Sequence, residues 1–166
     1  MIFTPVSIAY AVQIIKQADS LGLDVPILGS DTLDDNMVLE AIKGTDLQLY
    51  VSTFYQEGGS PEFDAGIKEY INGSSEALAA NGGNDTISAV TAMGYDAYYV
   101  ALEAMKKADS GNKADLMKIL PSVTYSGVSG DIAFDEVGDA IRDTAYVKTA
   151  VTADGTWTLE TVQKAG

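Results

Sequence analysis

Histidine and cysteine are both missing from the 166 residues. Without them there is no Ser-His-Asp or Cys-His nucleophile, no imidazole or thiolate metal site and no disulfide. Arginine occurs once, as Arg142, so nine lysines supply the other bases. Against those ten bases stand 24 acids, giving a net charge of −14. A phosphate backbone or an anionic membrane surface is repelled by such a chain, and no Lys/Arg cluster offers local relief, so nucleic acid is excluded as a partner. The dispersed acidity reads as a solubility device.

Other absences narrow the field further. No apolar run is long enough to cross a bilayer. The start, Met1-Ile2-Phe3-Thr4-Pro5, has neither the basic region nor the apolar stretch of a signal peptide. No Gly-x-Gly-x-x-Gly or Walker A motif is present to cradle a nucleotide phosphate. Adjacent acids at Asp34-Asp35 and Asp135-Glu136 fall at a helix start and a turn, where carboxylates usually cap backbone N–H groups. The Asp135–Asp139 segment lacks most of the alternating oxygens of a calcium loop. These absences leave an enzyme few tools, and neither a cofactor nor a metal is implied.

What is present is ordinary globular material, 46% hydrophobic and 20% charged, enough for one domain with a real core. Met1–Thr4 reads as a buried strand. Ser7 is placed to cap a helix with Ile8, Ala11, Val12, Ile15 and Ala18 on one face, closed by Gly22. Val25–Leu28 reads as a buried parallel strand, a helix follows from Asp34 or Asp35 to Ile42, and Leu47–Phe54 is the next strand. Strand, helix, strand, helix, strand predicts right-handed crossovers and an α/β sheet.

Beyond the Gln56–Pro61 loop, Ser60 and Pro61 start a helix with Phe63, Ile67, Tyr70 and Ile71 on its apolar face. Gly73–Asp85, rich in Gly, Ser, Asn and Ala, reads as a surface excursion. Ile87–Ala108 is the strongest helix, with Val90, Met93, Ala97, Val100, Ala101, Ala104 and Met105 expected inside. A short helix runs from Lys113 to Leu120. From Tyr125 to Val162 the pattern alternates around Gly-containing turns, which predicts antiparallel strands.

Three separated segments then resemble one family in order: Ile14-Ile15-Lys16-Gln17-Ala18 with Leu21-Gly22-Leu23 and Pro26-Ile27-Leu28-Gly29-Ser30-Asp31; Gly94-Tyr95-Asp96-Ala97-Tyr98 with Ala101 and Ala104; and Tyr125–Asp139. They are similar to the C-terminal portion of type I periplasmic solute-binding proteins of the branched-chain amino acid ABC transport type. The resemblance implies an α/β fold with a Rossmann-like parallel sheet, flanking helices and a C-terminal antiparallel region, truncated relative to the family. It implies a binding function rather than catalysis, an amino acid held in a cleft between two lobes, an ABC permease as partner, and an extracytoplasmic location for the full-length protein. On that map residues 1–55 are a second-lobe segment, 56–145 a first-lobe helical segment with returning strands, and 146–166 a return to the second lobe.

Open α/β sheets bind ligands beyond the carboxyl ends of their strands. Two such loops are expected here, Thr4–Ser7 and Gly29–Asp34. By the resemblance, Asp31 stands where the family places the acid that pairs with the ligand's amino group; capping a helix start is the other reading of the same residue. Thr4, Ser7 and Thr32 offer hydroxyls, Ser7 also serving as a cap. Tyr10, Tyr55 and Tyr95 are candidates for the cleft wall or for ordinary packing. The open sheet edge also allows a homodimer of this chain, a stand-alone oligomerising or sensory fragment of such a protein with no high-affinity ligand site being the alternative to a receptor.

Overall fold

The computed structural model describes residues 1–164. In chain order the elements are β1 (Ile2–Thr4), α1 (Ile8–Ser20), β2 (Ile27–Gly29), a 3-10 turn (Asp31–Leu33), α2 (Asn36–Ile42) and β3 (Leu49–Thr53). Helices α3 (Pro61–Asn72), α4 (Ser75–Ala80), α5 (Ala89–Ala108) and α6 (Lys113–Ile119) follow, then strands β4 (Tyr125–Gly127), β5 (Gly130–Phe134), β6 (Ala140–Ile141), β7 (Thr144–Val151) and β8 (Thr156–Lys164).

The first half is the expected parallel α/β unit. Ile2 pairs with Ile27 and Thr4 with Gly29, and β2 continues in parallel onto β3. In α1, Ala11, Ile15 and Ala18 are buried, the four-then-three spacing of one helix face. Together with Ile27, Val38, Ile42, Leu49 and Val51 they form the largest apolar cluster. On β3, Leu49, Val51 and Thr53 are buried in strict alternation, as a strand with one core face requires. Strand β7 then joins β3 antiparallel, Thr53 opposite Tyr146, and β8 closes the sheet in the order β1-β2-β3-β7-β8. The parallel sheet with its antiparallel end agrees with the fold class read from the sequence.

Several local expectations need correction. Ser7 occupies the cap position of α1, but its side chain accepts no capping hydrogen bond. Strand β2 begins at Ile27 rather than Val25. The Gly73–Asp85 excursion contains α4, whose first turn is capped by the Ser74 hydroxyl accepting from the Ala77 amide. Tyr70, placed on the apolar face of α3, is 75% exposed. Helix α5 starts at Ala89, and its buried face is Ala89, Ala92, Asp96, Val100 and Ala104. Val90, Ala97, Ala101 and Met105, expected inside, lie on the exposed side. The cause is Asp96: its carboxylate accepts from the Val128 and Ser129 amides, each at 2.8 Å, and from the Ser129 hydroxyl at 2.5 Å, turning the face that carries Asp96 inward onto the β4–β5 turn.

Candidate ligand site

The carboxyl ends of β1 and β2 lie side by side because Thr4 pairs with Gly29. The loops leaving them are tied together. The Thr32 hydroxyl donates to the Val6 carbonyl at 2.9 Å, and shares a 2.8 Å hydrogen bond with the Ser30 hydroxyl. Thr4–Ser7 and Ser30–Thr32 are therefore one surface.

Two anchors fix the 3-10 turn that carries Asp31. Leu33 is buried in the main core. It packs onto the backbone of Gly29, where an added Cβ would lie 3.1 Å from the Leu33 Cβ and closer still to its side-chain end. Asp34, also buried, is the second anchor. Its Oδ2 accepts from the Thr53 hydroxyl at 3.0 Å, the Ala89 amide at 3.1 Å and the Lys148 ammonium at 2.9 Å. One carboxylate thereby joins the turn to β3, to β7 and to the first residue of α5.

With both anchors inward, Asp31 stands half-buried and Thr32 exposed at the surface of the turn. Asp31 caps no helix: α2 is capped by Asp35, whose carboxylate accepts from the Met37 amide at 2.7 Å. Among the described residues the Asp31 carboxylate has no hydrogen-bond or ion-pair partner, so it is free to receive a donor. Ser7 is exposed with its hydroxyl equally uncommitted, and Tyr10, 69% exposed, projects from the first turn of α1. Thr4 belongs to the same strand end, but its residue is buried.

The other two tyrosines are elsewhere. Tyr55 is buried and donates to Asp64 at 2.6 Å, in a cluster with Phe63, Ile87 and Ala89. Burial, then the hydrogen bond to Asp64, pushes its phenol well above the ordinary tyrosine range. Tyr95 belongs to an aromatic row on α5: it lies 5.0 Å from Phe63 and 4.8 Å from Tyr99 between ring centres. Its phenol is pushed up to about 12, first by the hydrogen bond with Tyr99 and then by burial.

One cleft lies away from Asp31. It measures about 600 Å³ and lies between the turn after β3 (Gln56–Gly58), the start of α3, Lys148, and Trp157 on β8. The chemistry favours Asp31, because the charged groups lining the cleft already have partners. Sequence reasoning missed both the cleft and the Asp34–Lys148 pair. A lysine in an otherwise alternating strand was the available signal.

The sheet order β1-β2-β3-β7-β8 brings the β1 and β2 strand ends together on a polar surface, where open α/β sheets bind ligands. The chain belongs to the periplasmic binding protein family, whose model matches residues 1–156. It is similar to the leucine-binding protein LivK of Thermotoga maritima, at 27% identity and a TM-score of 0.72 over 98% of this chain and 44% of that one. A substrate-binding protein of an ABC transporter from Desulfitobacterium hafniense, in complex with Leu, is 25% identical with a TM-score of 0.58, over 89% of this chain and 39% of that one. A solute-binding protein from R. palustris, in complex with benzoate, shares the fold at 16% identity and a TM-score of 0.70, over 99% of this chain and 43% of that one. No curated protein matches the sequence. The chain thus spans less than half the length of the solved structures it resembles. The family is one of binding proteins rather than enzymes.

Proposed function

We propose that this chain supplies ligand-contacting loops of an ABC-transporter substrate-binding protein, working outside the cytoplasm with an ABC permease and taking an amino acid, branched-chain by preference. The observation that carries this reading is the uncommitted Asp31 carboxylate on a doubly anchored turn, beside the β1–α1 loop. A zwitterionic ligand needs a carboxylate for its ammonium group, and a charge-assisted hydrogen bond in a closed cleft contributes about 1.5–3 kcal/mol. Ser7 and Thr32 offer hydroxyls to the ligand carboxylate, Tyr10 a wall, and Thr4 holds the strand end from within. The division into lobes follows the same reading: residues 1–55 and 146–166 belong to one lobe and 56–145 to the other, with the ligand between them.

Thermal unfolding with leucine, isoleucine and valine tests it. A ligand at a hundredfold excess over its dissociation constant adds about 2.7 kcal/mol. The expected result is a rise in Tm with these amino acids that Asp31→Ala abolishes. No rise with any of them, or a rise that Asp31→Ala leaves intact, overturns the reading.

A second reading, self-association, is favoured by one feature: edge strand β1 leaves Ile2 42% and Phe3 62% exposed. Sedimentation as a monomer at micromolar concentration would remove it.

A further inference from the structure

The apolar interior is divided. The largest cluster is built from residues 6–51 with Ala150 and Trp157, and the other two wholly from 55–134. The chain passes between these parts near Phe54 and Arg142, where the guanidinium lies over the ring, 5.2 Å from its centre. Parts with separate cores shift against each other unless bonds join them.

Among the described residues only two hydrogen bonds cross from 1–54 and 143–164 to 55–142. The Ala89 amide, at the start of α5, donates to Asp34 Oδ2 at 3.1 Å, and Asn36 Nδ2 donates to the Asn81 carbonyl at 2.6 Å. Asp34 and Ala89 are buried, and Asn36 and Asn81 half-buried, so both bonds are sheltered from water. Both also start from one short segment, 34–36, which continues directly from the turn that carries Asp31. Leu33 in the main core and the Asp35 cap of α2 make 31–36 a stiff strut. On its own side the strut is held by Thr53 and Lys148 at Asp34.

From this we infer, on the reading in which the ligand lies between the lobes, that Asp34 and Asn36 are positioning residues: they couple ligand capture at Asp31 to the arrangement of the two parts. Neither touches the ligand. Asp34 Oδ2 is filled by its three donors, and Asn36 is turned to Asn81. A ligand gripped by Asp31 on one side and by the other lobe opposite favours the arrangement in which both crossing bonds are made. Such coupling is reciprocal, so bonds that the ligand strengthens also strengthen its binding.

Site-resolved amide hydrogen exchange on the whole chain, with and without saturating leucine, tests the coupling, because the Ala89 amide hydrogen lies in one of the two bonds. Leucine is expected to slow exchange at Ala89 at least about fivefold. Asn36→Ala, which removes the second bond, should weaken leucine by a similar factor in titration. Asn112→Ala is the control: it removes the cap of α6, where the Asn112 side-chain oxygen accepts from the Ala114 amide at 2.8 Å, and so lowers stability away from both bonds. Its leucine affinity should match that of the unmodified chain. No response to leucine in the unmodified chain overturns the ligand reading and the coupling together. A leucine response that leaves Ala89 exchange unaltered, unchanged affinity in Asn36→Ala, or equal weakening in Asn112→Ala overturns the coupling alone, with Asp31 still the ligand's acid.

Discussion

Lys148 on β7 and Asp34, 114 residues earlier, form a buried ion pair at 2.9 Å, with side chains 3% and 1% exposed. The pair links the two ends of the chain through the sheet interior. The Ala89 amide on the same Asp34 oxygen brings in α5 as well. Asp34 Oδ1 has no partner, so the carboxylate depends on the bonds at its other oxygen.

Removing one member leaves the other charged and buried. Lys148→Met is expected to cost about 3–5 kcal/mol in urea unfolding. Asp34→Asn with Lys148→Met keeps acceptors for Thr53 and Ala89 and buries no charge, so it should recover most of that loss. Additive losses in the double variant would mean that the pair is not one unit.

The order of strands and helices was legible because each apolar run in 1–54 has the period of its element, and Gly22 and Asp35 mark real helix ends. The orientation of α5 was not. Val90, Ala97, Ala101 and Met105 make as good an apolar stripe as the face that is buried, and only partners more than 30 residues away, the Val128 and Ser129 amides, draw Asp96 inward. Likewise Asp31 was readable as a candidate from its loop, whereas the job of Asp34 depends on a strand that arrives a hundred residues later. Periodicity reports how a segment can bury itself, not which of two faces its neighbours will take.

That orientation of α5 is testable at Gly127. A Cβ there would collide with all three carboxyl atoms of Asp96. Gly127→Ala is expected to cost about 1–3 kcal/mol from overpacking, with further loss as the carboxylate leaves its amide donors. Gly94→Ala, on the same helix with open space around it, should instead stabilise by about 0.5–1 kcal/mol. Opposite signs in parallel denaturant titrations are the expected result; equal effects would contradict the inward Asp96.

Alkaline pH should destabilise the fold through its tyrosines. Tyr55, Tyr95 and Tyr125 all have raised phenol values in the folded state, Tyr55 and Tyr125 chiefly through burial and Tyr95 chiefly through its bond to Tyr99. The folded chain then holds protons that the unfolded chain releases near the ordinary value of 10.0. Their contribution is intact below that pH and falls as pH rises, for Tyr95 through about 12. Tyr55→Phe should be less stable at neutral pH by about 1–2 kcal/mol, because Asp64 loses a donor and keeps the Gly58 amide. Its decline above pH 10.0 should be shallower. Urea unfolding across that range checks both.

The excursion before α5 is tied to α3 through Asp85, which meets Asn72 and Lys68, and to α2 through Asn81. Asn36, in the first turn of α2, donates from Nδ2 to the Asn81 carbonyl at 2.6 Å, and a Cβ on Gly82 would touch the Asn36 side chain. Asn36→Ala should cost about 1 kcal/mol and speed amide hydrogen exchange over 81–86 while leaving β3 protected. Uniform exchange changes would show that the segment is not secured there.

The turn carrying Asp31 rests on the fit between Gly29 and Leu33. Gly29 has ordinary backbone angles, so an alanine there is opposed by space rather than by strain; its new methyl meets the Leu33 side chain. Gly29→Ala should therefore lose about 1–3 kcal/mol, and Leu33→Ala, emptying a fully buried site, about 2–5 kcal/mol. Combined, the alanine methyl at 29 enters room vacated at 33, so the double variant should lose clearly less than the sum. Strict additivity would mean the two residues do not share one space, and the turn would have to be anchored through Asp34 alone.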